Sequence, residues 1–229
     1  MSGELRCIFI TGATGYMGRQ VVSRLLERGH QVRALIRPGS EAKLPSGCEV
    51  IVGKALDHST YTGRVQPADT FVQLVGVSHP SPAKAAQFRS VDLASALNSV
   101  SAAVDAGVEH FVYVSVAQPA PVMKAYVQAR MEGEQAIRAS GLNATILRPW
   151  YVLGPGHRWP YLLLPMYRLL ELLPATREGV QRLGLVTLEQ MTGALLDVIE
   201  HPCRGVRVVE VPEIRALGKK GAELSPGIA

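Results

Sequence analysis

The run TGATGYMGRQVV, Thr11 to Val22, follows directly on the apolar segment LRCIFI and leaves the chain few ways to fold. Gly12, Gly15 and Gly18 stand between a strand-length apolar run and a segment that places Val21, Val22, Leu25 and Leu26 on one helical face. Glycine permits a tight turn and a close approach of backbone to a pyrophosphate, while the unbonded N–H groups and dipole at a helix start attract the anion. Glycines also gather at helix starts for turn geometry alone. The preceding strand and the following amphipathic helix favour a dinucleotide, held by Gly12, Thr14, Gly15, Tyr16, Met17 and Gly18.

The rest of the chain repeats the alternation. A helix over Met17 to Arg28 is followed by QVRALIR, CEVIV, DTFVQLV, a long helix from about Ala83, and HFVYVSV. Gly29, Gly107 and Gly141 each follow a helical segment and suit a left-handed C-terminal cap. Thr187 and Gln190 have the spacing of a capping box. The pattern predicts an α/β fold of the Rossmann type: a doubly wound, mainly parallel sheet with helices on both faces. With 229 residues, 47% of them hydrophobic, one domain over residues 1–229 is expected. Residues 157–205 are expected on the substrate side and 216–229 as a mobile tail.

Composition narrows the partners. The net charge is +5, but the 24 Lys and Arg are scattered and no basic run exceeds Lys219 and Lys220, so no nucleic-acid partner is expected. Cys7, Cys48 and Cys203 lack metal-ligand spacing, so no metal site is expected; they suit reduced thiols in a cytoplasmic setting. The N-terminus lacks the pattern of a signal peptide, and YLLLPMYRLLELLP is interrupted by Pro165, Arg168 and Glu171, so no membrane span is expected. The oligomeric state is left open.

At the end of the second strand, where an NAD-specific site usually carries an acid for the ribose 2′-hydroxyl, stands Arg37. An arginine there can bind a 2′-phosphate bidentately, or can be an ordinary exposed residue. NADP(H) is therefore preferred, with NAD(H) as the alternative.

TGATGYMG, ALIR, AAVDAGVEHFVYVS, AYVQARMEGE and LRPWYVLGPG together resemble the short-chain dehydrogenase/reductase superfamily, in particular its atypical NAD(P)H-binding branch of nitrogen-metabolite-repressor-like and isoflavone-reductase-like proteins. The resemblance covers residues 5 to about 156. It implies a reductase centre of serine, tyrosine and a lysine four residues beyond the tyrosine, here Ser115, Tyr126 and Arg130. Tyrosine is a poor acid or base at neutral pH, and a neighbouring cation favours its phenolate. Arg130 can supply that charge and donors for the nicotinamide ribose, but it cannot relay a proton. Ser115 is either a donor to a substrate carbonyl or a loop hydroxyl, and Tyr126 is either the acid or a packing residue. Glu134 is left outside the site, as a residue that pairs with Arg130 or with Arg138.

The resemblance further implies cofactor contacts from Val75 and Gly76 after the fourth strand and from Pro149 and Val152 after the sixth. Two departures stand out. Lys54 replaces an aspartate after the third-strand glycine, which leaves adenine to Leu56 and Asp57, and Asp92 stands where the family often has asparagine. Trp159, Tyr161, Met166 and Tyr167 suit an apolar, planar ligand, a helix core or a subunit contact. Little chain follows the sixth strand for a sugar-nucleotide pocket. The expected function is NADP(H)-dependent hydride transfer to or from an apolar carbonyl, quinone or enone. A non-catalytic NADP(H)-dependent sensor or interaction protein is the alternative.

Overall fold

Seven parallel strands form the centre of the computed structural model, which describes residues 4–120, 122–154 and 183–223. They are β1 (Cys7–Thr11), β2 (Gln31–Ile36), β3 (Glu49–Val52), β4 (Thr70–Gln73), β5 (His110–Val114), β6 (Ala144–Arg148) and, after the short β7 (Tyr151–Leu153) and β8 (Leu185–Thr187), β9 (Val206–Glu210). Their order is β3-β2-β1-β4-β5-β6-β9, and β7 pairs with β8 in a separate parallel ribbon. The order runs outward from β1 in both directions. It therefore reverses between β1 and β4, and a crevice opens there at the C-terminal strand ends.

Alternation along the strands explains why both faces are covered. Ile8 and Ile10 of β1, with Val72, Val112 and Leu147, belong to one core, shared with α1 (Tyr16–Glu27), α4 (Leu188–Glu200) and α5 (Val211–Glu223). Phe9, Phe71, Phe111 and Tyr113 belong to the other, under α2 (Ala94–Ala106) and α3 (Lys124–Ala139). Helix ends follow the sequence signals: Gly29, Gly107 and Gly141 have positive φ, and Thr187 with Gln190 completes the capping box of α4.

Two expectations change. The long helix from Ala83 is a helical turn, Ala85–Gln87, then a π-helical segment, Phe88–Leu93, before α2 begins. The expected tail from residue 216 begins inside α5, which runs to Glu223. Two glycines let α5 cross α4 closely, since a Cβ on Gly193 would stand 2.8 Å from the Gly218 carbonyl oxygen. Of the segment expected on the substrate side, 157–205, residues 157–182, with Trp159, Tyr161, Met166 and Tyr167, lie outside the described residues. In the described remainder, α4 buries Met191, Leu195 and Ile199 in the core it shares with α1.

Candidate cofactor cleft and reductase centre

A cleft of two lobes, about 530 and 540 Å³, follows the C-terminal ends of the central strands, and Gly12, Gly76 and Ser78 line both. Each lobe is of the size that holds a small ligand. Gly12 has φ +81°, and a Cβ there would lie 2.8 Å from the Leu74 carbonyl carbon. A Cβ on Gly18 would stand 2.7 Å from the Ala13 oxygen and closer still to that of Gly12, so the first turn of α1 lies directly on the loop. The Gly15 N–H closes the turn onto the Gly12 oxygen at 3.0 Å. No side chain caps α1 and no acid stands in its first turn, which leaves the helix-start N–H groups for an anion.

One lobe collects Thr14, Arg37, Lys54, Leu56, Asp57 and Val75. The other collects Gly15, Tyr16, Met17, Gly18, Ser115, Tyr126, Arg130, Pro149 and Val152, with Trp150 and Tyr151 beside them. Residues drawn from β1, β2, β4, β5, α3 and β6 thus meet at one surface. The second lobe has an apolar wall made by Val77, Val114, Pro149, Trp150 and Val152.

Arg130 is 6% exposed and is held from inside. It donates to Asp92 Oδ1 at 2.6 Å and to the Val114 carbonyl at 2.8 Å. Its guanidinium carbon lies 5.3 Å from the centroid of Tyr126 and 5.7 Å from that of Tyr113. Burial opposes its charge, but Tyr126, Tyr113 and Asp92 outweigh this and hold its pKa above the ordinary value. Burial pushes the Asp92 carboxyl upward while Arg130 pulls it down. With the contact at 2.6 Å and the arginine always protonated, we describe the pair as ionised. Asp92 also accepts the Val77 N–H at 3.2 Å, so it ties the loop after β4 to the cation. The π-helical segment that carries Asp92 is what aims it there. Tyr126 packs on Phe88 of the same segment, ring centroids 5.0 Å apart.

Ser115 is 2% exposed, and its Oγ donates to Glu134 Oε1 at 2.6 Å. Glu134 also accepts from Gln118 at 2.7 Å and from Arg148 Nε at 2.9 Å. Its sequence-based partners therefore change: Glu134 pairs with Arg148, and Arg130 pairs with Asp92. The face of α3 divides within one turn. Arg130 points toward the loop after β4, and Glu134 toward the end of β6. Among the described residues no cluster of His, Cys, Asp or Glu could hold a metal ion, and no helix is long and apolar enough to cross a membrane.

Comparison with known proteins agrees with this architecture. A family profile described as NAD(P)H-binding matches residues 12–158. The chain is 26% identical over 224 residues to ceramide reductase of Caulobacter vibrioides, covering 97% of this chain and 69% of that one. It is 31% identical over 157 residues to chloroplastic divinyl chlorophyllide a 8-vinyl-reductase of Oryza sativa subsp. indica, covering 62% of this chain and 39% of that one. Pinoresinol reductase 1 of Arabidopsis thaliana is 27% identical over 165 residues, covering 64% and 48%. The chain spans less than half the length of these two plant reductases. Among solved structures, the Bordetella bronchiseptica enzyme WbmH in complex with NAD+ superposes with a TM-score of 0.68 at 20% identity, covering 99% of this chain and 84% of that one. That likeness shows the fold. With its profile match across both lobes of the cleft, the chain belongs to the NAD(P)H-binding family.

Proposed function

We propose that this protein, of the atypical reductase branch, binds NADP(H) in preference to NAD(H) and transfers hydride between it and an apolar carbonyl, quinone or enone. The observation that carries the reading is a pair of adjoining lobes that share Gly12, Gly76 and Ser78, with Arg37 in one and Tyr126 with Arg130 in the other. A dinucleotide fits the cradle because Gly12 and Gly18 let the loop press against the end of β4 and the first turn of α1, and the helix-start N–H groups have neither a side-chain cap nor a first-turn acid to compete with a pyrophosphate. Thr14, Gly15, Tyr16 and Met17 would hold the diphosphate, and Arg37 the 2′-phosphate. Leu56 and Asp57 would meet the adenine, Val75 and Gly76 the ribose, and Pro149 and Val152 the nicotinamide. When bound, the nicotinamide donates or accepts the hydride.

Tyr126 gives the substrate oxygen its proton when a carbonyl is reduced, and Arg130 holds positive charge beneath the phenol. Val77, Val114 and Trp150 exclude water from the apolar side of the lobe. Ser115 lies within the same lobe, with its hydroxyl donating to Glu134. A cytoplasmic setting fits the unpaired thiols Cys7, Cys48 and Cys203. Calorimetry with Arg37→Asp tests the cofactor: NADPH affinity should fall about ten- to a hundredfold while NADH is unchanged or improved. Equal losses would remove the 2′-phosphate role.

A second reading, a non-catalytic NADP(H)-dependent sensor, has its own support. Arg130 is neutralised by Asp92, and the Ser115 proton is committed to Glu134. Turnover separates the two. NADPH oxidation with any carbonyl, quinone or enone in a broad panel, lost in Tyr126→Phe with binding retained, supports the reductase. Stoichiometric NADPH binding without oxidation across that panel supports the sensor.

A further inference from the structure

We propose that Lys54 is a second cation of the 2′-phosphate subsite and, with Arg37, determines the choice of NADP(H) over NAD(H). The inference rests on the NADP(H) reading above and adds a residue to it. Strands β2 and β3 run side by side with Ile36 opposite Val52, and the pairing continues one step further, where the Gly53 N–H donates to the Ile36 carbonyl at 3.0 Å. Arg37 and Lys54 therefore leave two neighbouring strand ends at nearly the same height, and adjacent strands lie only about 4.8 Å apart. Both side chains are exposed and both line the adenosine lobe. Among the described residues neither forms an ion pair, so each keeps its charge for a ligand.

The backbone of Lys54 is fixed. Its N–H donates to Thr60 Oγ1 at 2.9 Å, and its carbonyl accepts the Asp57 N–H at 2.9 Å. Only the side chain can swing, and it does so from an anchored base at the rim of the lobe. Among the described residues the one acid lining that lobe is Asp57, whose Oδ1 accepts from Ser59 Oγ at 2.6 Å. Lysine has three donors and no acceptor, so it cannot take over a contact that needs a carboxylate to receive the adenine amine. A phosphate dianion between two cations on adjacent strands uses both charges. A ribose 2′-hydroxyl uses neither as well.

The 229-residue chain is titrated calorimetrically with NADPH, NADH and adenosine 2′,5′-bisphosphate, as wild type and as Lys54→Ala, Lys54→Arg and Arg37→Asp. Lys54→Ala is expected to weaken NADPH and the bisphosphate by about threefold to tenfold, with NADH changing by less than about twofold. Lys54→Arg should restore NADPH affinity, because it restores the charge. Equal losses for NADPH and NADH overturn the assignment by moving Lys54 to a part of the dinucleotide that both share. Unchanged NADPH affinity overturns it as well. A preference that survives Lys54→Ala but falls in Arg37→Asp removes Lys54 and leaves the cofactor reading standing. Wild-type protein that binds NADH as tightly as NADPH overturns that reading and this inference together.

Discussion

Arg130 shows what a single residue in this cleft must satisfy. A guanidinium 6% exposed has lost its hydration, and its two terminal nitrogens recover hydrogen bonds from Asp92 and the Val114 carbonyl. Removing the counter-ion leaves a buried charge without compensation. Asp92→Ala should therefore cost about 3 to 5 kcal/mol in chemical denaturation, well above an ordinary surface substitution. Arg130→Met combined with Asp92→Leu should recover part of that loss, since it removes both charges, but should also weaken NADPH binding. A double variant no more stable than Asp92→Ala would show that the Val114 contact, and not the ion pair, dominates. The position of Arg130 was legible in AYVQARMEGE, one helical turn beyond Tyr126. Its partner was not, because Asp92 lies 38 positions away and meets it only through the tertiary fold. Helix spacing points Glu134 to its neighbours on α3 for the same reason, while its actual partner, Arg148, comes from β6. The one available sign was Asp92 itself, an acid at a position where the family often has asparagine.

At the scale of elements, the glycine loop after β1 was the most legible part. Strand, glycine triplet and amphipathic helix are contiguous, so local sequence alone specifies them. Glycine meant something else near the C-terminus. GKKGAE reads as a loose end, yet Gly218 sits inside α5 because that helix crosses α4 at Gly193 with almost no room between the backbones. Contact of this kind depends on two helices meeting, which no local pattern records. Gly193→Ala should force α4 and α5 apart, since its Cβ would stand 2.8 Å from the Gly218 oxygen. A loss of about 1 to 3 kcal/mol in chemical denaturation is expected, with NADPH affinity nearly unchanged because neither glycine lines the cleft. A variant as stable as wild type would mean that the crossing has slack. The π-helical segment before α2 was illegible for a related reason: Phe88 to Leu93 has ordinary helical composition, and only its tie to Arg130 and Val77 through Asp92 gives it a distinct role.

Across the whole molecule, the sheet has a cleft end and a structural end, and acid should act on the second. His110 opens β5 at the N-terminal edge, away from the cleft, with no exposed surface; one ring nitrogen lies 3.0 Å from Thr145 Oγ1. Burial holds its pKa down from 6.5 to about 4, helped by Arg6 and opposed by Asp69. The unfolded chain then takes up a proton near pH 6.5 that the folded chain refuses until about pH 4. Stability contributed by neutral His110 is therefore complete above pH 6.5 and drains away as the pH falls toward 4, by up to about 3 kcal/mol. His110→Gln keeps an amide near Thr145 and cannot titrate in this range. Denaturation midpoints of wild type and His110→Gln, compared at half-unit steps from pH 7.5 to 4, should converge or cross as the pH drops, whatever the other ionisable groups contribute to both. A difference that stays constant over that interval would show that His110 binds its proton equally in folded and unfolded chains, and that acid sensitivity arises elsewhere. Glu200 is the natural second place to look. Its carboxylate is held down by His30 and Arg28 against the upward pull of burial, and it fastens the end of α4 to the turn between α1 and β2.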